Sequence, residues 1–227
     1  MPVVNLEPIS LFYEEQGEGE PLLLLHGLGT DGRSWDYQRE EFAEQFRVIV
    51  VDVRGHGRSA RPPGPYSVPQ FANDIFALLD HLQIDQFHLV GLSMGGMIGF
   101  QMAVDQPKRF RSLTVVNSGP ELVPQGWRER WQIWQRRLIL NLFSMEKIGE
   151  SIGGRLFPEP EQAAYKAQFV QQMRENDAKA YRAATNALIG WSVRSRLDRI
   201  LCPVLVISGD MDYTPVASKE AYVQEMP

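Results

Sequence analysis

Short apolar runs of strand length recur along the chain, with helical stretches between them, and this alternation constrains the fold more than any other feature. The runs are "PLLLLH" at 21–26, "VIVVDV" at 48–53, "FHLVG" at 87–91, "LTVVN" at 113–117 and "VLVIS" at 204–208. Continuous apolar character marks strands covered on both faces, and parallel strands need crossovers of helical length. The expectation is an α/β fold: a mostly parallel sheet with helices on both faces. An outer strand is expected at 9–15, before the turn "GEGE". A loosely amphipathic helix is expected over 34–45, carried by Trp35, Phe42 and the following Phe46. A second helix, capped by Ser67 and running to Leu82, puts Phe71, Ile75, Leu78 and Leu79 on one face. A third, over 94–104, follows the third apolar run at once.

Residues 118–202 contain no strand-like run, although a crossover needs only a dozen residues or so. This stretch reads as an insertion lying on top of the sheet. It is helical in character over 121–196, with breaks expected at Gly153-Gly154 and at "FPEP". The domain division is therefore 1–119 with 197–227 as the core, and 120–196 as a helical cap. Trp127, Trp131 and Trp134 form one helix face continued by Leu138. That row either packs the cap onto the core or lines an apolar substrate pocket, and both roles require burying it.

Hydrophobic residues make up 44% of the 227, enough for a substantial core. The net charge of -5 and the lack of a basic stretch argue against a nucleic-acid partner. No apolar run approaches the roughly 18 residues of a membrane span, and the N-terminus shows no basic leader followed by an apolar stretch, so a cytoplasmic protein is expected. The single cysteine, Cys202, excludes a disulfide within the chain and reads as a buried, inert thiol.

Two glycine motifs compete for the chemistry. Gly27-Leu28-Gly29-Thr30-Asp31-Gly32 fits G-x-G-x-x-G after a strand, and Asp52 closes the next strand, the pattern of a dinucleotide site in an oxidoreductase. Against it, the helical pattern after Gly32 starts only at Trp35, and the loop "VRGHGRS" after Asp52 is left without a purpose. The second motif, Gly91-Leu92-Ser93-Met94-Gly95, sits between a strand and a helix, the setting of a nucleophile elbow. It puts Ser93 at a helix N-terminus, where the Met94 N–H would meet a developing oxyanion. The loop "HGLG" at 26–29 is placed to give a second donor, the Leu28 N–H.

Taken together, "LLLLHGLG", "VVDVRGHGRS", "HLVGLSMGG" and "PVLVISGDMDYTP", in this order, resemble the α/β-hydrolase family over most of the chain. "GLSMGGMIG" is similar to the enol-lactonases, beside small esterases and cofactor-free haloperoxidase-like members. The resemblance makes the insertion the family's helical lid. It also makes Asp212, the second acid of G-D-x-D, the residue that orients a histidine, with Asp210 the alternative. It implies a serine hydrolase acting through an acyl-enzyme on a small, apolar ester-like or lactone substrate, with no cofactor and no metal. C–C bond hydrolysis, perhydrolysis and non-catalytic ligand binding remain alternatives on the same scaffold.

The elbow order is Ser, acid, His, yet no histidine follows Asp212. His26 lies in the donor loop and His56 in a glycine-rich turn, while His81 ends a helix. His88 stands five residues before Ser93, about 16 Å away in an extended strand. None suits the role of base. The expectation is that the parent protein continues past Pro227 and carries the histidine there, and that the 227-residue chain keeps only weak activity. Loss of a triad base lowers the rate by roughly 10⁶.

Overall fold

The computed structural model describes residues 3–7, 9–210, 212 and 214–227. A seven-stranded sheet runs through these residues in the order β1-β2-β4-β3-β5-β6-β7. Its strands are β1 (Val3–Asn5), β2 (Ser10–Gln16), β3 (Glu20–Leu25), β4 (Phe46–Val51), β5 (Phe87–Leu92), β6 (Phe110–Val116) and β7 (Val204–Ile207). β1–β2 and β2–β4 pair antiparallel, and every pairing from β4 to β7 is parallel. The five apolar runs of the sequence are the five parallel strands. Leu23, Leu24, Leu25, Ile49, Val51, Leu89, Leu113 and Val115 are fully buried, which is why these runs show no polar alternation.

The helices are α1 (Arg39–Phe42), α2 (Val68–His81), α3 (Met94–Asp105), α4 (Gly126–Leu142), α5 (Met145–Leu156), α6 (Ala163–Glu175), α7 (Ala178–Leu188) and α8 (Val216–Val223). Ser67 caps α2, its side chain accepting from the Gln70 N–H at 3.2 Å. α2 and α3 cover one face, their buried residues Phe71, Ile75, Leu78, Ile98 and Phe100 merging with the strands into one core. The other face carries a smaller cluster around Trp35, Leu22, Leu24, Val48 and Val50.

Three sequence expectations change. The helix expected over 34–45 is a 3-10 turn at Gly32–Trp35 followed by the single turn α1. Its apolar residues are too sparse for a helical stripe, and Trp35 turns inward on its own to fill the small cluster. Gly153-Gly154 does not break the insertion but lies inside α5. α5 needs small residues because α6 crosses it closely: a Cβ on Gly149 would stand 2.7 Å from Met173 Cβ. The break at "FPEP" is present, with α5 ending at Leu156. The face carrying Trp127, Trp131 and Trp134 is not buried, these side chains being 74%, 53% and 52% exposed. Of α4, only Leu140 reaches the buried state, so the tryptophan row faces outward and lines no enclosed pocket.

The insertion, α4 to α7, lies between β6 and β7 and packs over the loops at the C-terminal ends of β3 and β4. Asn176 Nδ2 donates to the Gly29 carbonyl at 2.7 Å, and Arg33 pairs with Glu175 at 2.5 Å. Among the described residues no helix is long and apolar enough to cross a membrane.

Candidate active site

Ser93 is the residue on which the sheet and α3 converge. Between β5 and α3 it holds φ 49° and ψ −108°, a conformation that side chains other than glycine's rarely adopt. Three hydrogen bonds hold it there. Its N–H donates to the Val116 carbonyl at 2.9 Å, and its carbonyl accepts from the Met97 N–H at 3.1 Å and from Ser118 Oγ at 2.7 Å.

The flanking glycines follow from the same turn. A Cβ on Gly91 would lie 2.5 Å from the Gly95 carbonyl carbon, and one on Gly95 would lie 2.2 Å from the Leu25 carbonyl oxygen. The backbone passes too close on both sides for any side chain. Met94 opens α3, so its N–H has no acceptor within the helix.

The "HGLG" loop comes alongside. A Cβ built on Gly27 would stand 3.7 Å from Ser93 Cβ, so the backbone leading to Leu28 runs directly beside the serine. The loop is braced from below: the Gly27 carbonyl accepts from Thr30 N at 3.3 Å, Thr30 Oγ1 at 3.1 Å and His26 Nδ1 at 2.8 Å. The His26 tautomer follows from its partners. Nε2 accepts the Val53 N–H at 2.9 Å, so the proton sits on Nδ1. Both nitrogens are engaged, and burial holds the ring neutral.

The other histidines are placed as far from base chemistry as the sequence suggests. His56 is fully buried, with Nδ1 donating to the Arg54 carbonyl at 3.1 Å, and burial beside His26 lowers its pKa to about 3. His81 ends α2 on the exposed surface. His88 sits low on β5, paired with Leu22 in register, between Ser112 Oγ at 2.7 Å and Glu20 at 3.0 Å.

Buried neutral imidazoles have a pH consequence. The unfolded chain protonates near the ordinary value of 6.5, and the folded chain protonates His56 only near 3. Stability from the neutral ring is complete above pH 6.5 and is lost as pH falls toward 3, because the unfolded state binds more protons in that window. Unfolding free energy by urea titration is expected to fall between pH 6.5 and 4, and less steeply in His56→Gln. Equal slopes in both proteins would contradict this.

Asp212, in the loop after β7, has its carboxylate only 8% exposed. Oδ2 accepts from Lys219 Nζ at 2.5 Å and from Thr214 Oγ1 at 3.0 Å. The ammonium, itself buried on α8, also donates to the Thr214 carbonyl at 2.9 Å. Tyr222, on the same helix, donates to the Ser118 carbonyl at 3.0 Å. Burial, with the Asp212 charge nearby, pushes the Tyr222 hydroxyl up to about 12, so it stays a donor. Tyr222 thus ties α8 to Ser118, whose hydroxyl in turn holds the Ser93 carbonyl.

Sequence reading gives no hint of Ser118, Lys219 or Tyr222, whose spacing from Ser93 only the fold closes. Asn117, just past β6, ties the two loops together at φ 47°, its Oδ1 accepting from the Gly209 N–H at 2.8 Å. Burial raises the Cys202 thiol pKa, consistent with an unreactive cysteine.

The rival dinucleotide fingerprint is occupied by structural bonds. Asp52 is 1% exposed, with one oxygen accepting from Gly32 N at 2.8 Å and the other from Arg58 N at 2.8 Å. This burial and these bonds turn the carboxylate away from any ribose, and a 3-10 turn rather than an α-helix follows the glycines.

Comparison with known proteins agrees with the geometry. Residues 20–224 match the family described as alpha/beta hydrolase fold. The chain is 32% identical over 212 residues to 3-oxoadipate enol-lactonase 2 of Acinetobacter baylyi, covering 92% of this chain and 78% of that one. The crystal structure of the enol-lactonase from Burkholderia xenovorans LB400 superposes with a TM-score of 0.88 at 26% identity, over 99% of this chain and 88% of that one. A thermophilic esterase from Thermogutta terrifontis superposes with a TM-score of 0.84 at 28% identity, over 97% and 84% of the two chains. The chain belongs to the alpha/beta hydrolase fold family.

Proposed function

We propose that this protein is a hydrolase that cleaves an ester or lactone bond of a small substrate, with Ser93 as nucleophile and an acyl-enzyme as intermediate. The observation that carries the reading is the strained serine at the start of α3 with the Gly27–Leu28 backbone alongside, 3.7 Å from a Gly27 Cβ to Ser93 Cβ. The relatives named enol-lactonase and esterase support the bond class. Ser93 Oγ attacks the carbonyl carbon, the C=O electrons move to oxygen, and the Leu28 and Met94 N–H groups stabilise that oxyanion. Collapse expels the alcohol or enolate, and water releases the acid. The insertion over 120–196 acts as the lid.

Asp212 is the acid of the set. It holds an imidazole in the tautomer that accepts the Ser93 proton. The partners of His26 and His88 engage both ring nitrogens of each, His56 is enclosed with its Nε2 unpartnered and its pKa lowered to about 3 by burial, and Lys219 holds the Asp212 carboxylate in this chain.

The 227-residue chain is therefore expected to hydrolyse p-nitrophenyl acetate slowly and to be accelerated by free imidazole in a Ser93-dependent way. In the protein as its gene encodes it, a fluorophosphonate probe is expected to label Ser93 and leave Ser93→Ala unmodified. Absence of labelling there, with the protein folded, would overturn the hydrolase reading.

A further inference from the structure

A cavity of about 270 Å³ opens where the insertion meets the core, and it shares no residue with the site around Ser93. Its walls come from the 3-10 turn (Arg33), the loop after β4 (Gly57, Arg58, Arg61) and the end of α6 (Gln172, Glu175, Asn176), with Asp31 at its base. We propose that this cavity binds a compact oxyanion, a small carboxylate or phosphate, gripped by Arg33, Arg58, Arg61 and the Gln172 carboxamide.

The donor and acceptor inventory points this way. The carboxylates of the wall are already engaged. Both Asp31 oxygens accept from Arg33, at 2.6–3.2 Å, and Glu175 accepts from Arg33 at 2.5 Å and from Gln171 at 2.8 Å. The donors are not. Arg33 uses Nε and Nη2 for these bonds and leaves Nη1. Arg58 uses Nε toward Asp52 and Nη2 toward Glu14, and one face of its guanidinium lies 3.5 Å over the Phe12 ring. Arg61 uses only Nη2, on the Gly57 carbonyl at 2.6 Å, and has no carboxylate partner among the described residues. A guanidinium carries five N–H groups, so each keeps capacity for a ligand acceptor.

Gln172 is the sharper sign. It is 4% exposed, it lines the cavity, and its carboxamide has no hydrogen-bond partner among the described residues. Among the described residues the fully enclosed atoms without a partner are Trp35 Nε1 and His56 Nε2, so the Gln172 carboxamide reaches the open space of the cavity, where a ligand acceptor could meet its N–H groups. Arg33 and Arg58 are paired with carboxylates, so the cation left for an anionic ligand is Arg61, with the spare N–H groups of the other two beside it. The volume holds several waters' worth of ligand, about 30 Å³ each, which suits an acid of a few carbons or a phosphate. The site also touches the chemistry at one remove: Asn176, next on its rim, donates to the carbonyl of Gly29, the residue after Leu28.

Binding can be read without turnover, so the outcome is separable from the hydrolase reading. Isothermal titration calorimetry with malonate and with inorganic phosphate, against sodium chloride at matched ionic strength, is expected to give saturable one-site heat. Arg61→Gln, at an exposed and loosely bonded position, is expected to weaken it about tenfold, the effect of one charged hydrogen bond. Gln172→Leu, checked for an unchanged melting profile, is expected to weaken it as well. Saturation by malonate alone would fix the ligand class as carboxylate, and by phosphate alone as phosphate. No heat beyond the chloride control, or binding indifferent to both substitutions, would overturn the proposal.

Discussion

Exchange of Ser93 for glycine is expected to move activity and stability in opposite directions. Loss of the nucleophile should lower kcat by roughly 10⁶ in the protein as its gene encodes it. The same exchange relieves the backbone. At φ 49° and ψ −108°, a residue with a Cβ carries about 1–3 kcal/mol of strain, of which glycine's larger unfolded-state freedom takes back about 0.4–1. A net gain of about 1 kcal/mol should raise the melting temperature by about 2–4 °C. Ser93→Ala is the comparison that separates the two effects: it loses activity equally but keeps the Cβ, so it should melt with the wild type. Retained hydrolysis in the glycine variant would remove Ser93 from the chemistry. Equal melting shifts in both variants would show that the turn is unstrained.

The largest loss of stability is expected two residues later. Alanine at Gly95 would place its Cβ 2.2 Å from the Leu25 carbonyl oxygen and 2.6 Å from the carbonyl carbon. These are backbone atoms of the central strand β3, paired in register with both β4 and β5, and they cannot swing aside as a side-chain end can. The result should be a loss of about 4 kcal/mol or more and a fall of roughly 10 °C or more in melting temperature. Gly99→Ala, one turn along α3, meets side-chain ends, Leu113 Cδ1 and Leu89 Cδ2, each at 2.9 Å. Those ends can repack, and alanine favours the helix, so its loss should be much smaller. Similar melting of the two variants by differential scanning calorimetry would refute the argument from backbone contact.

These two positions also show why parts of the molecule can be read from the chain and others cannot. The parallel strands were legible because burial on both faces leaves an unbroken apolar run such as "LLLL". The serine turn was legible because its geometry excludes side chains at Gly91 and Gly95, which writes the constraint into neighbouring letters. The stretch after Gly32 misled because Trp35, buried, and Phe42 and Phe46, half-buried, pack singly against the sheet rather than along a helical stripe. The tryptophan row misled for the converse reason: i, i+4, i+7 spacing shows that three rings share a face, not that anything covers it. Gly153-Gly154 looks like a break but continues α5, in which Gly149 and, less tightly, Gly153 face α6. The pairing of Asp212 with Lys219, the link through Tyr222 and Ser118, and the arginine-lined cavity all join segments distant in sequence, so no local pattern encodes them.

Gly29 carries a consequence for substrate selection. It sits at φ +83°, and a Cβ there would be 2.4 Å from Met173 Sδ and 2.7 Å from a Tyr181 ring carbon, while its carbonyl holds Asn176. α6 and α7 therefore rest directly on the residue after Leu28. If the insertion acts as the proposed lid, a substrate too large for the space beneath these helices would lift them and take the loop's support away at the same moment. On the proposed assignment, an oversized acyl group would bind with an ordinary KM and fail in kcat, because the misfit is transmitted to the amide that should meet the oxyanion. Size discrimination would then be exercised on the reaction rather than at the door.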